Sequence, residues 1–348
     1  MASDVHPLPH RQVALGHEQG GGQDRELTGM FTEVLGPVHG AGTSVPPPDP
    51  GHELAVATGS FAVDPPFFGD ADMGRVAVCA LVNELAAAGA EPRALALSLI
   101  VEAGLPVRQV RRLAESVRDA AAEAGVQVVA VDTRVVRAGD ADRVFVAATG
   151  FGQQPCDTLT APAPVAGDRI VLSGRLGGYA AHVLSTREGL GFEVFVPSGC
   201  APLNGLLTAV RTAAGPDALR AVRVLGGGLA ATLDAAARDA GLLLRIEPAA
   251  LAIQYEAQLT FDTLGVDPLR VAEEGCLCLF VARESAATVL AALRAHPYGQ
   301  DAQEIGEVTR TFGPGVELLA DDGTATPLQA DGTDGAGGSA GSEPARLR

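Results

Sequence analysis

The chain has 348 residues, enough for about two domains, and its 47% hydrophobic and 19% charged residues are typical of a folded soluble protein. All 25 of its Lys and Arg residues are arginines, which excludes Schiff-base catalysis and the phosphate-binding lysine of a Walker A loop. The formal net charge of −17 repels a phosphate backbone, so we expect no nucleic-acid partner.

Residues 1–50 are rich in Pro and Gly and predict a flexible N-terminal arm with a glycine-rich segment, Gly20–Asp24. From residue 51 the apolar pattern alternates between strand and helix periods. The predicted elements are strands at Leu54–Thr58, Arg93–Val101, Val126–Val131 and Arg143–Thr149, with helices at Arg75–Ala88 and Val107–Ala124. This order predicts an α/β domain over residues 51–155.

A proline-rich connector, Pro155–Pro164, precedes a second α/β domain over residues 165–320. Its predicted strands are Asp168–Ser173, Leu242–Ile246, Gly275–Val281 and Ile305–Thr311, and its predicted helices are Leu203–Ala213, Leu229–Ala240 and Glu284–Ala295. Residues 321–348 contain few apolar side chains, so we expect a disordered tail.

The sequence has no run of about 18 uninterrupted apolar residues, and its first residues lack the apolar core of a signal peptide. We therefore expect a cytoplasmic protein that has no membrane partner. The five cysteines show no disulfide-framework spacing. Cys276 and Cys278 alternate within a predicted strand, which favours buried thiols over a reactive pair.

Several polar residues lie where a ligand could bind, although each also has a structural explanation. The glycines before Asp24 could wrap a phosphate or form a flexible arm. Asp72 precedes a predicted helix, where it could hold Mg²⁺ or cap the helix. Asp132 and Thr133 directly follow a predicted strand, a common ligand position in α/β sheets. Asn83 interrupts an apolar helix and is a plausible ligand contact.

Taken together, the order of short motifs resembles the HypE family of hydrogenase maturation factors, within the PurM (AIR synthase-related) superfamily. The motifs that carry the resemblance are Ala57–Pro65, Phe67–Gly74, Asn83–Glu84, Gly89–Arg93, Val101–Gly104, Val131–Gly139, Leu172–Gly177, Ser198–Leu203 and His296–Gly299. They span residues 15–320 approximately, so the resemblance covers both predicted domains.

The resemblance implies a PurM-like fold of two α/β domains, with the N-terminal domain dimerising through its strands. It implies ATP and Mg²⁺ as cofactors and ATP-dependent dehydration of a carbamoyl group to a nitrile, the cyano ligand of [NiFe] hydrogenase. The implied partners are a second subunit, as a homodimer or as a heterodimer with a HypE paralogue, a HypF-like carbamoyltransferase and a HypC–HypD-like complex.

The resemblance also implies roles for individual residues. The residues expected to bind the nucleotide are Gly21, Gly22, Asp64, Asp72, Asn83, Asp132, Thr133, Arg134, Gly227 and Gly228. Asp72 and Asp132 are the expected metal ligands, and Asp132 and Glu102 the expected catalytic carboxylates.

The chain departs from the family at charged positions. Gly59 and Gly199 replace aspartates, Tyr179 replaces a histidine, Arg134 replaces a lysine, and the glycines at 226–228 stand where the family has Arg-Gly-Gly. The family ends in a carrier cysteine, whereas this sequence ends in Arg348. Three functions are consistent with this pattern: a maturation factor with weakened or altered catalysis, a non-catalytic HypE-like protein that pairs with an intact paralogue or maturation partners, or a PurM-superfamily enzyme acting on a small-molecule amide.

Overall fold

The computed structural model describes residues 12–14, 22–36, 45–156 and 163–330. They form two compact units. The first contains the described residues up to Phe67, together with Ala71–Leu85 and Ala90–Pro155. The second contains Phe68–Asp70, Ala86–Gly89 and the described residues from Cys156 onward.

The described residues through Pro155 form three helices and six strands. In chain order they are α1 (Gly22–Leu35), β1 (His52–Phe61), β2 (Phe67–Phe68), β3 (Ala71–Asp72), α2 (Met73–Ala87), β4 (Glu91–Glu102), α3 (Val107–Ala124), β5 (Gln127–Val136) and β6 (Val144–Pro155). The predicted helix at Val107–Ala124 has the observed bounds, and Gly125 ends it with a φ of 70°. A left-handed residue of this kind is favourable for glycine, which has no Cβ.

The first unit is built on a four-stranded sheet with the order β1-β6-β4-β5. β6 pairs antiparallel with β1 and β4, whereas β4 and β5 run parallel. Along β4 the side chains of Leu97 and Leu99 enter the core that α2 and α3 share. Ser98 and Ile100, which alternate with them, are exposed. This face therefore packs against helices, while the opposite face displays exposed Ile100 and, on β1, Leu54 and Val56.

Helix α1 corrects the expectation of a flexible arm over its own length. Leu27 and Phe31 lie one turn apart and are fully buried in the core of the first unit, with Met30 beside them. Burying this apolar face stabilises the helix far more than the intrinsic helix propensity of so short a segment. The preceding Gly21 lies outside the described residues.

The described residues from 163 to 330 form a seven-stranded sheet and five helices. They are β7 (Arg169–Leu172), α4 (Gly178–Glu188), α5 (Asn204–Ala214), β8 (Leu219–Leu225), α6 (Leu229–Ala240), β9 (Leu242–Ile246), α7 (Tyr255–Leu264), β10 (Glu273–Val281), α8 (Ala286–Ala295), β11 (Gln303–Phe312), β12 (Gly315–Leu319) and β13 (Ala325–Pro327). Short 3₁₀ turns occupy Phe192–Val194, Pro248–Ala250, Arg283–Ser285 and Pro297–Gly299.

This sheet has the order β13-β12-β9-β11-β7-β10-β8, with β12 and β9 parallel and the other pairs antiparallel. Alternate residues of β10 enter two different cores: Cys278 and Phe280 pack with α6, and Leu277 and Leu279 pack with α5 and α8. Both faces are therefore covered, which explains why β10 reads as a continuous apolar run. The predicted α/β fold class is confirmed.

Three expectations about local structure are wrong. β5 does not end at Val131 but continues to Val136, so Asp132 lies within a strand. The tail is ordered through Ala330, because β13 pairs with β12 and Leu328 is buried; residues 331–348 lie outside the described residues. Strand β8 and helix α7 have no counterpart among the predicted elements. In the described part of the chain, no helix combines the length and hydropathy needed to cross a bilayer.

Candidate functional site

The predicted nucleotide-binding residues of β5 hold helix α1 in place. Thr133 is buried, and its hydroxyl donates to the carbonyl oxygen of Asp24 at 2.7 Å. A second contact joins the hydroxyls of Thr133 and Thr28 at 2.7 Å. The cost of burying the Thr133 hydroxyl is thus offset by two partners on α1. The described contacts of Thr133 therefore show an anchoring role, and its nucleotide contact stays a prediction.

The Asp24 carboxylate completes this connection. Its Oδ1 accepts the N–H of Val135 at 2.8 Å, and its Oδ2 lies 3.1 Å from Nη1 of Arg134. The Arg134 side chain is 72% exposed, so its guanidinium keeps N–H donors that face solvent. Sequence reasoning missed Asp24 and Thr28 as partners of β5. The available signal was an aspartate in the first turn of an amphipathic segment.

Asp132 lies on the opposite face of β5, exposed and paired in register with Ser98 of β4. Side chains alternate along a strand, so Asp132 and Arg134 share one face while Thr133 points the other way. The structure therefore separates the predicted residues: Asp132 and Arg134 are accessible, and Thr133 is not.

Asp72 acts as the cap of helix α2. It is buried, and its Oδ1 accepts the N–H of Gly74 at 3.0 Å and of Arg75 at 3.3 Å. Its Oδ2 lies 3.5 Å from Nε of Arg112. Burial raises the pKa of this carboxyl above its ordinary value, against hydrogen bonds from Ser116 and the helix N-terminus. Of the two explanations that the sequence left open, these contacts favour capping.

Glu102, the second predicted catalytic carboxylate, closes the turn between β5 and β6. It accepts the N–H of Gly139 at 2.5 Å and of Arg143 at 2.9 Å. These two bonds hold the pKa of Glu102 below its ordinary value. The carboxylate is thus ionised at neutral pH and can accept a proton but not donate one. Its catalytic role stays a prediction, as do the roles of half-buried Asp64 and of Asn83, which is buried in α2.

A magnesium site does not fit the residues present. Within the described ranges, no group of three or more His, Cys, Asp and Glu side chains converges as metal ligands. Mg²⁺ requires a near-octahedral set of oxygens. Oδ1 of Asp72 already accepts two backbone N–H groups, and the Arg112 guanidinium lies beside Oδ2.

In the second unit, a buried carboxylate organises the loop between β7 and α4. Glu273 is 4% exposed, and its Oε2 accepts the N–H of Gly177 at 2.8 Å while its Oε1 accepts the N–H of Gly275 at 3.2 Å. Backbone N–H groups of Tyr179 and Glu274 also bond to it. Burial nevertheless dominates and raises the pKa of Glu273 to about 7.

Glu273 thereby fills the N-terminal end of α4, where an external anion would otherwise bind. Sequence reasoning did not single it out. The signal was an acidic residue at the start of a strand that is otherwise apolar.

The comparable junction between β8 and α6 is open. Gly227 and Gly228 were predicted to contact the nucleotide, and they lead directly into α6. Gly228 has a φ of 87°, and a Cβ there would lie 2.8 Å from the carbonyl carbon of Arg270, so only glycine fits. A Cβ on Gly226 would meet nothing within 4 Å, and no side chain caps the helix. The N–H of Gly228 donates to the carbonyl oxygen of Leu225 and that of Ala230 to the carbonyl oxygen of Leu269, both at 2.8 Å. Only the exposed Gly226 and Gly227 are therefore placed to offer backbone N–H groups to an anion.

The two cysteines of β10 are unreactive. Cys276 and Cys278 are fully buried, as predicted. Burial raises the pKa of Cys276 to about 12 and that of Cys278 further still. The thiolate is the reactive form of cysteine, so neither side chain is a nucleophile at neutral pH.

Comparison with known proteins places these features in a family. A model of the AIR synthase related protein N-terminal domain matches residues 41–154, and one of the C-terminal domain matches residues 165–318. Over 261 residues the chain is 41% identical to the carbamoyl dehydratase HypE of Azotobacter vinelandii, covering 74% of this chain and 76% of that protein.

Solved structures give the same result. A crystal structure of the hydrogenase maturation protein HypE in complex with ATP matches with a TM-score of 0.83 and 30% identity, covering 97% of this chain and all of that one. The HypE–HypF complex matches with a TM-score of 0.73 and 33% identity, covering 79% of this chain and 90% of the matched chain.

Proposed function

The chain belongs to the AIR synthase related family and, within it, to the HypE proteins, and on that premise we propose that it is a carbamoyl dehydratase of hydrogenase maturation. The observation that carries this proposal is 41% identity with a carbamoyl dehydratase over about three-quarters of both chains. The fold supports it, because nearly the whole chain superposes on a HypE protein that binds ATP.

The reaction removes the elements of water from a carbamoyl group. Transfer of the γ-phosphoryl group of ATP to the carbamoyl oxygen converts that oxygen into a leaving group. The C–O bond then breaks, two N–H protons are lost, and a nitrile, ADP and phosphate result. The protein must therefore bind phosphate oxygens and accept protons.

The described residues suit both tasks. In the first unit Arg134 offers exposed guanidinium N–H groups, and in the second unit exposed Gly226 and Gly227 offer backbone N–H groups before α6. Asp132, on an accessible strand face, and ionised Glu102 stay as proposed catalytic carboxylates.

We extend the proposal to partners. The exposed face of the first sheet, with Leu54, Val56 and Ile100, suits association with a second subunit, as a homodimer or as a heterodimer with a paralogue. A HypE protein forms a complex with HypF, and we propose a HypF-like carbamoyltransferase as the donor partner. A HypC–HypD-like complex in the cytoplasm would receive the product.

Calorimetric titration with Mg-ATP, followed by a phosphate-release assay with a carbamoyl donor, tests this function. We expect saturable ATP binding and phosphate release that requires the donor. Arg134→Gln should weaken ATP binding, whereas Arg118→Gln, which removes an exposed arginine of α3, should leave it unchanged. Failure of the wild-type chain to bind ATP would contradict the proposal.

A second function is favoured by one observation. The family's aspartates are glycines at positions 59 and 199, and the described residues provide no converging metal ligands. A non-catalytic HypE-like subunit that pairs with an intact paralogue accounts for both. ATP binding without donor-dependent phosphate release, restored when an intact HypE is added, would favour this alternative.

A further inference from the structure

The second unit displays three large apolar side chains beside one another. Val194 and Phe195 follow the 3₁₀ turn after α4, and they are 78% and 67% exposed. Tyr255, at the start of α7, is 71% exposed. The side-chain amide of Gln254, its neighbour in sequence, donates to the carbonyl oxygen of Phe195 at 3.3 Å. We call Val194, Phe195 and Tyr255 the aromatic patch.

The segment that carries this patch is fixed by two fully buried polar side chains of α4. The hydroxyl of Ser185 accepts the N–H groups of Phe192 at 2.9 Å and Glu193 at 3.3 Å, and it donates to the Glu193 carboxylate. The ring of His182 bonds to the carbonyl oxygen of Val196. Polar groups inside the unit therefore hold a loop whose apolar side chains face solvent.

Such an arrangement reduces the entropy lost on binding, because the loop is already ordered before a partner arrives. Exposed, ordered aromatic side chains are the groups that most often supply the energy of a protein interface. An apolar patch fixed in this way marks an interaction surface.

The charges around the patch indicate the kind of partner. Glu188, Glu193 and Glu256 adjoin it in sequence, against two arginines, Arg187 and Arg175, the latter of which interacts with Glu256. The whole chain carries a net charge of −17, so a second copy would bring like charges together at this face. A partner with Lys or Arg around an apolar socket would instead be attracted.

We propose that the aromatic patch is the docking surface for the protein that delivers the carbamoyl group, and that this protein presents an apolar socket with a basic rim. The inference rests on the proposed function, since that function requires such a donor. It places the donor on the second unit, separately from the sheet face proposed for subunit association.

Binding of the full-length chain to a purified HypF-like carbamoyltransferase tests the proposal. We expect Phe195→Ser and Tyr255→Ser each to weaken binding about tenfold or more. Val165→Ser removes another exposed apolar side chain of the same unit, so it serves as the matched control and should bind as wild type does. Circular dichroism checks that each variant is folded.

Charge-reversal variants separate the electrostatic contribution to binding from the apolar contribution. Glu256→Arg should slow association and reduce its dependence on salt, whereas Glu284→Arg, the same change at an exposed position of the second unit, should not. Unchanged binding by both serine variants would overturn the proposal. So would a loss of self-association, seen by sedimentation, in place of a loss of donor binding.

The outcomes also separate this inference from the proposed function. If the wild-type chain catalyses donor-dependent phosphate release with a small carbamoyl compound but does not bind the carbamoyltransferase, the docking proposal fails and the function stands. If it binds the transferase through the patch but neither binds nor hydrolyses ATP, the function fails and the docking surface stands.

Discussion

Replacing Glu273 with glutamine tests whether burial or hydrogen bonding determines the protonation state of this carboxylate. Two effects oppose each other at the site: desolvation disfavours the charge, and four backbone N–H groups favour it. The pKa of about 7, above the ordinary 4.5, means that desolvation wins. The folded protein then holds a proton at Glu273 that the unfolded chain has released between these two pH values.

The sign of the effect on stability follows from this difference in bound protons. Since the folded state binds more protons, the free energy of unfolding falls as the pH rises from 4.5 towards about 7. The shift corresponds to about 3 kcal/mol that is present at low pH and lost at high pH. Glutamine is neutral and close in shape to the protonated acid, and it does not titrate, but its NH₂ group cannot accept the backbone N–H groups that the replaced oxygen accepts. That loss does not depend on pH, so the stability of Glu273→Gln relative to wild type should rise with pH, by up to about 3 kcal/mol in total.

The assay can follow the second unit alone. The chain has no Trp and three Tyr, and these are Tyr179, Tyr255 and Tyr298, all in the second unit. Urea denaturation followed by tyrosine fluorescence therefore reports on that unit. From about pH 5.5 to about pH 8 the stability of the variant relative to wild type should rise by about 2 kcal/mol. Glu247→Gln, at an exposed position of the same unit, is the control and should show no such trend. A variant less stable than wild type at the higher pH, by a margin independent of pH, would show that the N–H bonds dominate.

Three further predictions concern other positions. Thr133→Val should loosen the attachment of α1 to β5, lower the free energy of unfolding by about 1–2 kcal/mol and speed amide exchange in α1. Thr208→Val, which removes an exposed hydroxyl in α5, is the control and should do neither. Unchanged amide exchange in Thr133→Val would contradict the anchoring role. Asp72→Ala should cost about 1 kcal/mol in urea denaturation, and Asp72→Asn clearly less because its side-chain oxygen still caps α2; equal losses would argue against capping. At mildly alkaline pH, iodoacetamide should modify exposed Cys156 and leave Cys276 and Cys278 unmodified in the native protein, as checked by mass spectrometry; rapid labelling of the pair would refute their burial.

The secondary structure could be predicted from sequence where one periodicity describes the environment of a whole element. Helix α3 buries one stripe, and its pattern gave both of its ends. Strand β10 is covered on both faces, so its uninterrupted apolar run indicated a strand correctly. In both cases the spacing of the apolar residues shows which faces of the element are buried.

The prediction failed where a distant segment determines the environment. The sequence predicts that β5 ends at Val131, just before the polar residues Asp132, Thr133 and Arg134. In the structure, α1 covers Thr133 and the adjacent Val135, and the strand continues. The covering helix lies more than 90 residues away in sequence, within a segment whose Gly and Pro content predicted a flexible arm. The sequence of β5 does not show that a helix covers it, and the sequence of α1 does not show which strand it packs on.

The candidate site shows the same limit for carboxylates. The sequence predicts Asp72 as a metal ligand and Glu102 as a catalytic carboxylate, but in the structure both accept backbone N–H groups of the protein itself, as do Asp24 and Glu273, which the sequence did not indicate. Sequence gives the charge of a side chain but not the donors that reach it after folding. The role of Glu273 could not be predicted for the same reason, because its partner Gly177 lies 96 residues away in sequence.

These hydrogen bonds determine which polar groups are free to bind a ligand. A carboxylate that accepts two backbone N–H groups can bind a metal or a phosphate-bearing ligand only if those bonds break, and each orphaned donor costs about 1–3 kcal/mol. Arg134 and the exposed Gly226 and Gly227 carry a smaller cost, because Arg134 keeps guanidinium N–H groups that face solvent and these two glycines lie outside the bonds that Gly228 and Ala230 already donate to backbone carbonyls. Any nucleotide chemistry of this chain should therefore depend more on these cationic and backbone donors than on its acids. Arg134→Gln is for that reason the most informative single substitution for ATP binding.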